Sequence, residues 1–143
     1  MTDVIVVGVD ASDSSHGAVK WSARLAAALG MQIEAVHVES HFALWELSAL
    51  QVDFDPYLRE LQCRLDDAWT QPIRDLGVCY RTQLLRGDPS KEIMRVADEV
   101  DAFLVVVGAQ RHFHDHLIGG TAHKLVNRSR HPVVLVPPDL PSR

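Results

Sequence analysis

Three groups of residues in this 143-residue chain have types and spacings that bear on chemistry. Gly120-Thr121, with Lys124 one helical turn further on, reads as the start of a short helix. The first-turn N–H groups of a helix have no intrahelical partner, and a side chain one turn in leans back over that turn. Such an arrangement suits a phosphate or another anion. Asp10-Ala11-Ser12-Asp13-Ser14-Ser15 is a run of small polar side chains, suited to a turn and to helix capping. His112, His114 and His116 alternate, with His123 nearby. On a strand they would share a face and chelate zinc or copper. Their surroundings read as a loop, with Asp115 the one further ligand at hand, so a solvated run is expected and no metal site is assigned. Several imidazoles so close together would charge together below neutral pH.

The familiar enzyme constellations are missing. The chain has no Gly-x-Ser-x-Gly elbow, no Walker A sequence, no Gly-x-Gly-x-x-Gly and no cysteine set in a catalytic motif. A protein that is not an enzyme is therefore expected. The net charge of -5 argues against broad binding to a nucleic-acid backbone, which needs an excess of Lys and Arg. Apolar runs are only strand-sized and Asp3 and Asp10 interrupt the apolar start, so neither a membrane span nor a signal peptide is expected. Cys63 and Cys79 are too few and too far apart for a zinc or redox motif, and are expected as reduced, semi-buried thiols of a cytoplasmic protein. With 47% hydrophobic and 23% charged residues, the chain can fill the core of one domain, taken as residues 1–143 with its core at about 3–137.

The elements that would position these groups alternate in type. Val4 to Val9, Ile33 to Val38, Val78 to Leu85, Phe103 to Gly108 and Pro132 to Pro137 read as strands. The first and fourth are continuous apolar and β-branched runs, the pattern of strands buried on both faces of a parallel sheet. The third alternates partly and leans toward an edge. Between them, Ala18, Trp21, Leu25 and Leu29 mark a helix stopped by Gly30. Leu58 to Leu76 carries an apolar stripe of about five turns, with Pro72 as a kink or a new start. Residues 39–54 read as a loop with at most one helical turn. A helix opens at Gly87-Asp88-Pro89-Ser90 with Ser90 as its cap, and Ala122, Leu125 and Val126 mark a short last helix with Thr121 as its cap. The alternation predicts an α/β fold: one five-stranded parallel sheet with helices on both faces. Ligands in such folds sit outside the carboxyl ends of the strands, where the strand order switches. That points to Asp10 onward, Val38 onward and Gly108 onward.

Val-Gly-Val-Asp-Ala-Ser at 7–12, Ala-Val-His-Val at 35–38, Arg86-Gly87 with Glu92-Ile93, Val107-Gly108 followed by Gly120-Thr121, and His131 to Pro137 come in an order that resembles the universal stress protein (UspA-like) family. The likeness runs from about residue 3 to residue 137. It implies a Rossmann-like sheet of the adenine nucleotide alpha hydrolase kind, and a cytoplasmic stress-response regulator. It also implies ATP, with Mg2+, held by Val9, Asp10, Val38, Gly108, Arg111, Gly120, Thr121 and Lys124. Asp10 would meet the ribose or adenine side, and the Val38 backbone the adenine. Thr121 would donate its hydroxyl to a phosphate. Family members that bind ATP have Gly-x-x-Gly, nine residues, then Gly-Ser or Gly-Thr. Here Arg111 stands at the second glycine, and eight residues separate it from Gly120. Arg at a positive-φ position would cost about 1–2 kcal/mol, yet Arg111 and Lys124 also offer charge to a phosphate. The alternative is thus a dimeric interaction module that has lost the nucleotide through Arg111 and the shortened loop, and docks a protein partner. The related ATP-activating hydrolases carry Ser-Gly-Gly-x-Asp-Ser after strand one, which residues 10–15 do not match, and no general base stands out for slow ATP hydrolysis.

Two further expectations come from the residues alone. Asp10, Val38 and Thr121 have ordinary structural roles open to them, as turn former, core residue and helix cap. Val133, Val134, Leu135 and Val136 form a strand apolar on both faces and expected at the sheet edge, which invites pairing with a second copy as a homodimer.

Overall fold

The computed structural model describes residues 2–40, 49–109 and 119–141. The Arg111 position and the His112, His114 and His116 run lie outside the described residues. Five strands form one parallel sheet: β1 Val4–Gly8, β2 Gln32–Glu39, β3 Tyr80–Arg86, β4 Leu104–Gly108 and β5 Val133–Val136. Their order is β3-β2-β1-β4-β5, with every neighbouring pair parallel. The partly alternating β3 and the apolar β5 are the two edges, as expected. β1 and β4, the unbroken apolar runs, lie inside the sheet.

The helices are α1 Asp13–Leu29, α2 Asp55–Asp66, α3 Gln71–Asp75, α4 Pro89–Glu99 and α5 Gly120–Arg128. Strand alternation sorts the side chains onto two faces. Ile5, Val7, Ala35 and Val106 pack with α1 and with Leu65 and Ile73 on one face. Val6, Val36, Val105 and Val107 pack on the other with Ile93, Val96, Ala97, Ala122 and Leu125. Burying each Val or Ile side chain contributes about 1.5–3 kcal/mol, so these two layers carry the fold.

Several local expectations are corrected. The buried stripe of α1 is Ser15, Ala18, Val19, Ser22, Ala23 and Ala26. Trp21 and Leu25 pack at its margin, and Leu29 is 56% exposed. The larger side chains suggested one face, but small residues let the helix lie close on the sheet, and closeness decided which face goes in. Of the two readings of Pro72 in the 58–76 stripe, a kink or a new start, the structure has the new start. α2 ends at Asp66, a 3-10 turn follows at Ala68–Thr70, and α3 starts afresh with Pro72 in its first turn, where a missing N–H costs nothing. Arg74 holds this break together by donating to the Asp66 and Asp67 carbonyls and to the Tyr80 hydroxyl. Glu39 belongs to β2 rather than to the loop after it. Cys63 and Cys79 are free and exposed, not semi-buried. No helix among the described residues is long and apolar enough to cross a membrane.

Two helix caps also differ from expectation. Asp88, not Ser90, caps α4: its Oδ1 accepts from the Ser90 backbone N–H at 2.9 Å and from the Ser90 hydroxyl at 2.8 Å. Asp competes well at this position because its carboxylate favours the positive end of the helix. Gly119 is the N-cap of α5, and Thr121 sits inside the first turn. Gly119 has no side chain to offer, so the α5 start lacks a side-chain cap bond.

A cleft at the carboxyl ends of β1, β2 and β4

From β1 the chain proceeds to β2 and β3 on one side and returns to β4 and β5 on the other. The crevice at this reversal is a cleft of about 610 Å³. Its walls follow the strand order. Ala11, Ser12 and the rest of the β1 loop form the middle. The end of β2 lies on one side, with Tyr57, Leu61 and Arg64 of α2 and with Trp69. Gly108 and the start of α5 lie on the other.

The β1 loop is a closed polar turn. Asp10 Oδ1 accepts from the Ser12 N–H at 2.7 Å, and the Asp10 N–H donates to the Ser15 hydroxyl at 2.8 Å. Ser12 then caps α1 by accepting from the Ser15 N–H at 3.2 Å. Asp10 is thus a turn former whose carboxylate stays at the exposed rim of the cleft. Val9 continues the β1–β2 ladder, its N–H donating to the Val36 carbonyl at 2.8 Å. Val38 is buried in the core beneath the cleft, the ordinary role open to its side chain.

The two glycines of the phosphate-type signature have different reasons to be glycine. A Cβ on Gly108 would lie 2.5 Å from the Ser14 carbonyl carbon, so packing of β4 against the start of α1 requires the bare backbone. Among the described residues nothing lies within 4 Å of where a Gly120 Cβ would sit. Neither Gly108 nor Gly120 has a positive φ. Packing of the described residues therefore does not account for glycine at 120.

An adjoining open bay of about 530 Å³ is lined by Ser40, Gly87, Asp88, Pro89, Gly120, Thr121 and Lys124. Lys124 Nζ stands 3.6 Å from Asp88 Oδ2 across this bay. The Asp88 carboxyl is held below the usual aspartate range, first by the Ser90 hydroxyl and then by backbone N–H groups and Lys124, against the opposing effect of burial. Both side chains of this pair are partly exposed, Lys124 at 46% and Asp88 at 35%.

Sequence reasoning pointed to Val38 onward on the β2 side of the cleft but did not single out His37, Glu39, Tyr57 or Trp69. His37 Nδ1 lies 2.6 Å from the Val9 carbonyl and so carries a proton, and its ring packs on Trp69 at 5.0 Å. Glu39 is 4% exposed and accepts from the Tyr57 hydroxyl at 2.7 Å. That bond, then burial, raises the Tyr57 hydroxyl above the ordinary tyrosine range, with Arg64 acting against it. The available signal was the alternation on β2, which puts His37 and Glu39 on one face. Among the described residues no cluster of three His, Cys, Asp or Glu could hold a metal ion.

The sequence and fold can be set beside known proteins. A curated universal stress protein from Methanothermobacter thermautotrophicus is 36% identical over 52 residues, which is 36% of this chain and 36% of that protein. The match thus spans about a third of that relative's length. The structure of a universal stress protein from Archaeoglobus fulgidus in complex with dAMP superposes with a TM-score of 0.72 at 22% identity, covering 95% of this chain and 98% of the other. A universal stress protein in complex with cAMP superposes with a TM-score of 0.76 at 23% identity, covering 96% and 98%. At these identities the superpositions establish the fold. The family model described as "Universal stress protein family" matches residues 1–137, nearly the whole chain, with the parallel sheet and the cleft inside the match, and the chain therefore belongs to the universal stress protein family.

Proposed function

We propose that this chain binds an adenine nucleotide, ATP with magnesium in the first instance, as a stress-response signal rather than as fuel for turnover. The observation that carries the reading is Gly120: a glycine at a helix start beside a cleft, with no described residue within 4 Å of where its Cβ would be. Backbone N–H groups there have no side-chain cap, and they suit a phosphate. Thr121 and Lys124 add a hydroxyl and a charge at the same place, and Asp10 at the rim lies toward the ribose. Strand order then orients the ligand. With phosphates at α5, the base extends past the β1 loop toward β2, where Val38, Leu61 and Trp69 provide apolar surface. The complexes of related proteins with dAMP and cAMP support a nucleotide of this class.

Calorimetric titration with ATP and magnesium tests the reading. Saturable heat with a raised melting temperature is the expected result. No heat and no thermal shift at millimolar ATP would sink it and favour the interaction-module alternative. We further propose a cytoplasmic homodimer paired through β5, because this edge strand is apolar throughout, with Val133, Val134 and Leu135 only half-buried. Val134→Asp should give monomer or insoluble protein in sedimentation, and a wild type that sediments as a monomer at micromolar concentration would refute the pairing.

A further inference from the structure

Among the described residues lining the cleft, Asp10 and Glu39 carry carboxylates, and they differ sharply in setting. Asp10 is exposed and committed to its own turn. Glu39 is buried at the last position of β2, on the side of the cleft where the base would lie under the nucleotide reading. A buried carboxylate is costly unless donors surround it. The Tyr57 hydroxyl is one such donor, at 2.7 Å, and it ties α2 to the end of β2. A carboxylate has about four lone-pair sites, so Glu39 can keep its protein partners and still accept from a ligand. Around the pair the walls are largely apolar or aromatic: Val38, Leu61, Trp69 and the His37 ring packed on Trp69.

We infer that Glu39 is a specificity-determining residue: it reads the N–H edge of the bound base and selects a 6-aminopurine over a 6-oxopurine. The inference rests on the nucleotide reading above. The chemistry is that of acceptor against donor. An exocyclic amino group offers N–H to the carboxylate. A carbonyl oxygen at the same place brings two acceptors together without a proton, against a carboxylate that is itself only 4% exposed. Tyr57 acts as the positioning residue. Its hydroxyl stays protonated across the ordinary pH range, because ionising it would put a phenolate against Glu39.

The test compares ATP with inosine triphosphate, both with magnesium, by calorimetry on the full chain. The wild type should bind ATP tighter by at least about tenfold, the effect of one hydrogen bond to a charged group. Glu39→Gln should bring the ratio close to unity, because an amide can turn its NH₂ toward the oxo group. Tyr57→Phe should lower the ratio part of the way. Equal binding of the two nucleotides by the wild type would overturn this inference and leave the nucleotide reading standing. An unchanged ratio in a folded Glu39→Gln, or in Tyr57→Phe should Glu39→Gln fail to fold, would do the same. Binding of neither nucleotide overturns both.

Discussion

At the β4 and α5 side of the cleft the wall is mostly backbone: Gly108, Gly119 and Gly120 leave the main chain bare. At the β2 and α2 side it is mostly side chain, with His37, Glu39, Tyr57, Leu61, Arg64 and Trp69 brought together from two strand-and-helix segments. The first kind of wall suits a group that every nucleotide shares, because N–H groups recognise any phosphate. The second kind suits discrimination, because side chains carry distinct donors and acceptors. Within the backbone wall the two glycines contrast: a Cβ on Gly108 would meet the Ser14 backbone, while no described residue lies within 4 Å of a Cβ on Gly120.

Four substitutions break or sharpen this comparison. The largest effect is expected at Gly108→Val. Its Cβ would meet Ser14 backbone at 2.5 Å, which cannot swing away as a side chain would. A loss of about 3 kcal/mol is expected, the upper end for overpacking. Thermal melting should show it without any ligand, and an unchanged midpoint would mean that β4 and α1 are less tightly apposed than described.

Gly120→Val should behave in the opposite way. Nothing described lies near the new side chain, so melting should move little, while ATP titration should lose its heat. A variant that binds as the wild type does would separate Gly120 from the phosphates. Lys124→Ala should weaken ATP binding by about 1–2 kcal/mol, as for one charged hydrogen bond. Because its present partner is Asp88 at 3.6 Å on a half-exposed surface, stability should scarcely change.

The smallest effect concerns Asp88→Ala, expected to cost about 1 kcal/mol of stability through the lost α4 cap. Its pH dependence has a definite sign. The folded carboxyl titrates below the unfolded one, so the stabilisation is complete at neutral pH. It is lost only as pH falls below about 4. The gap between wild type and variant in denaturant titrations should therefore close on acidification, and a gap that widens instead would contradict the assignment of Asp88 as the cap.

Much of the fold could be read along the chain because each element declares itself within a few residues. The unbroken apolar runs at Val4 and Leu104 require burial on both faces, which only inner strands of a parallel sheet receive. The partial alternation near Tyr80 marks an edge for the same reason. The backbone side of the cleft was legible too, since glycine at a helix start is a local property of Gly120 and Thr121. Helix caps were less so. Asp88 and Ser90, or Gly119 and Thr121, compete within two or three residues, and the outcome turns on the angle at which the chain enters the helix. The inward face of α1 lay further from reach. Which of two plausible stripes faces in depends on how near the helix lies to β4, and that distance is set by Gly108, some ninety residues away. Least legible was the Glu39–Tyr57 pair beside His37 and Trp69. Strand alternation joins His37 to Glu39, but nothing in type or spacing joins that pair to Tyr57 and Trp69, because β2 and α2 meet only once the sheet has been wound. The sequence by itself determined the strands, their burial and a phosphate-like helix start, all written in neighbouring residues; tertiary structure alone decided which distant side chains share the other side of the cleft, because proximity across a fold is a property of packing and not of order along the chain.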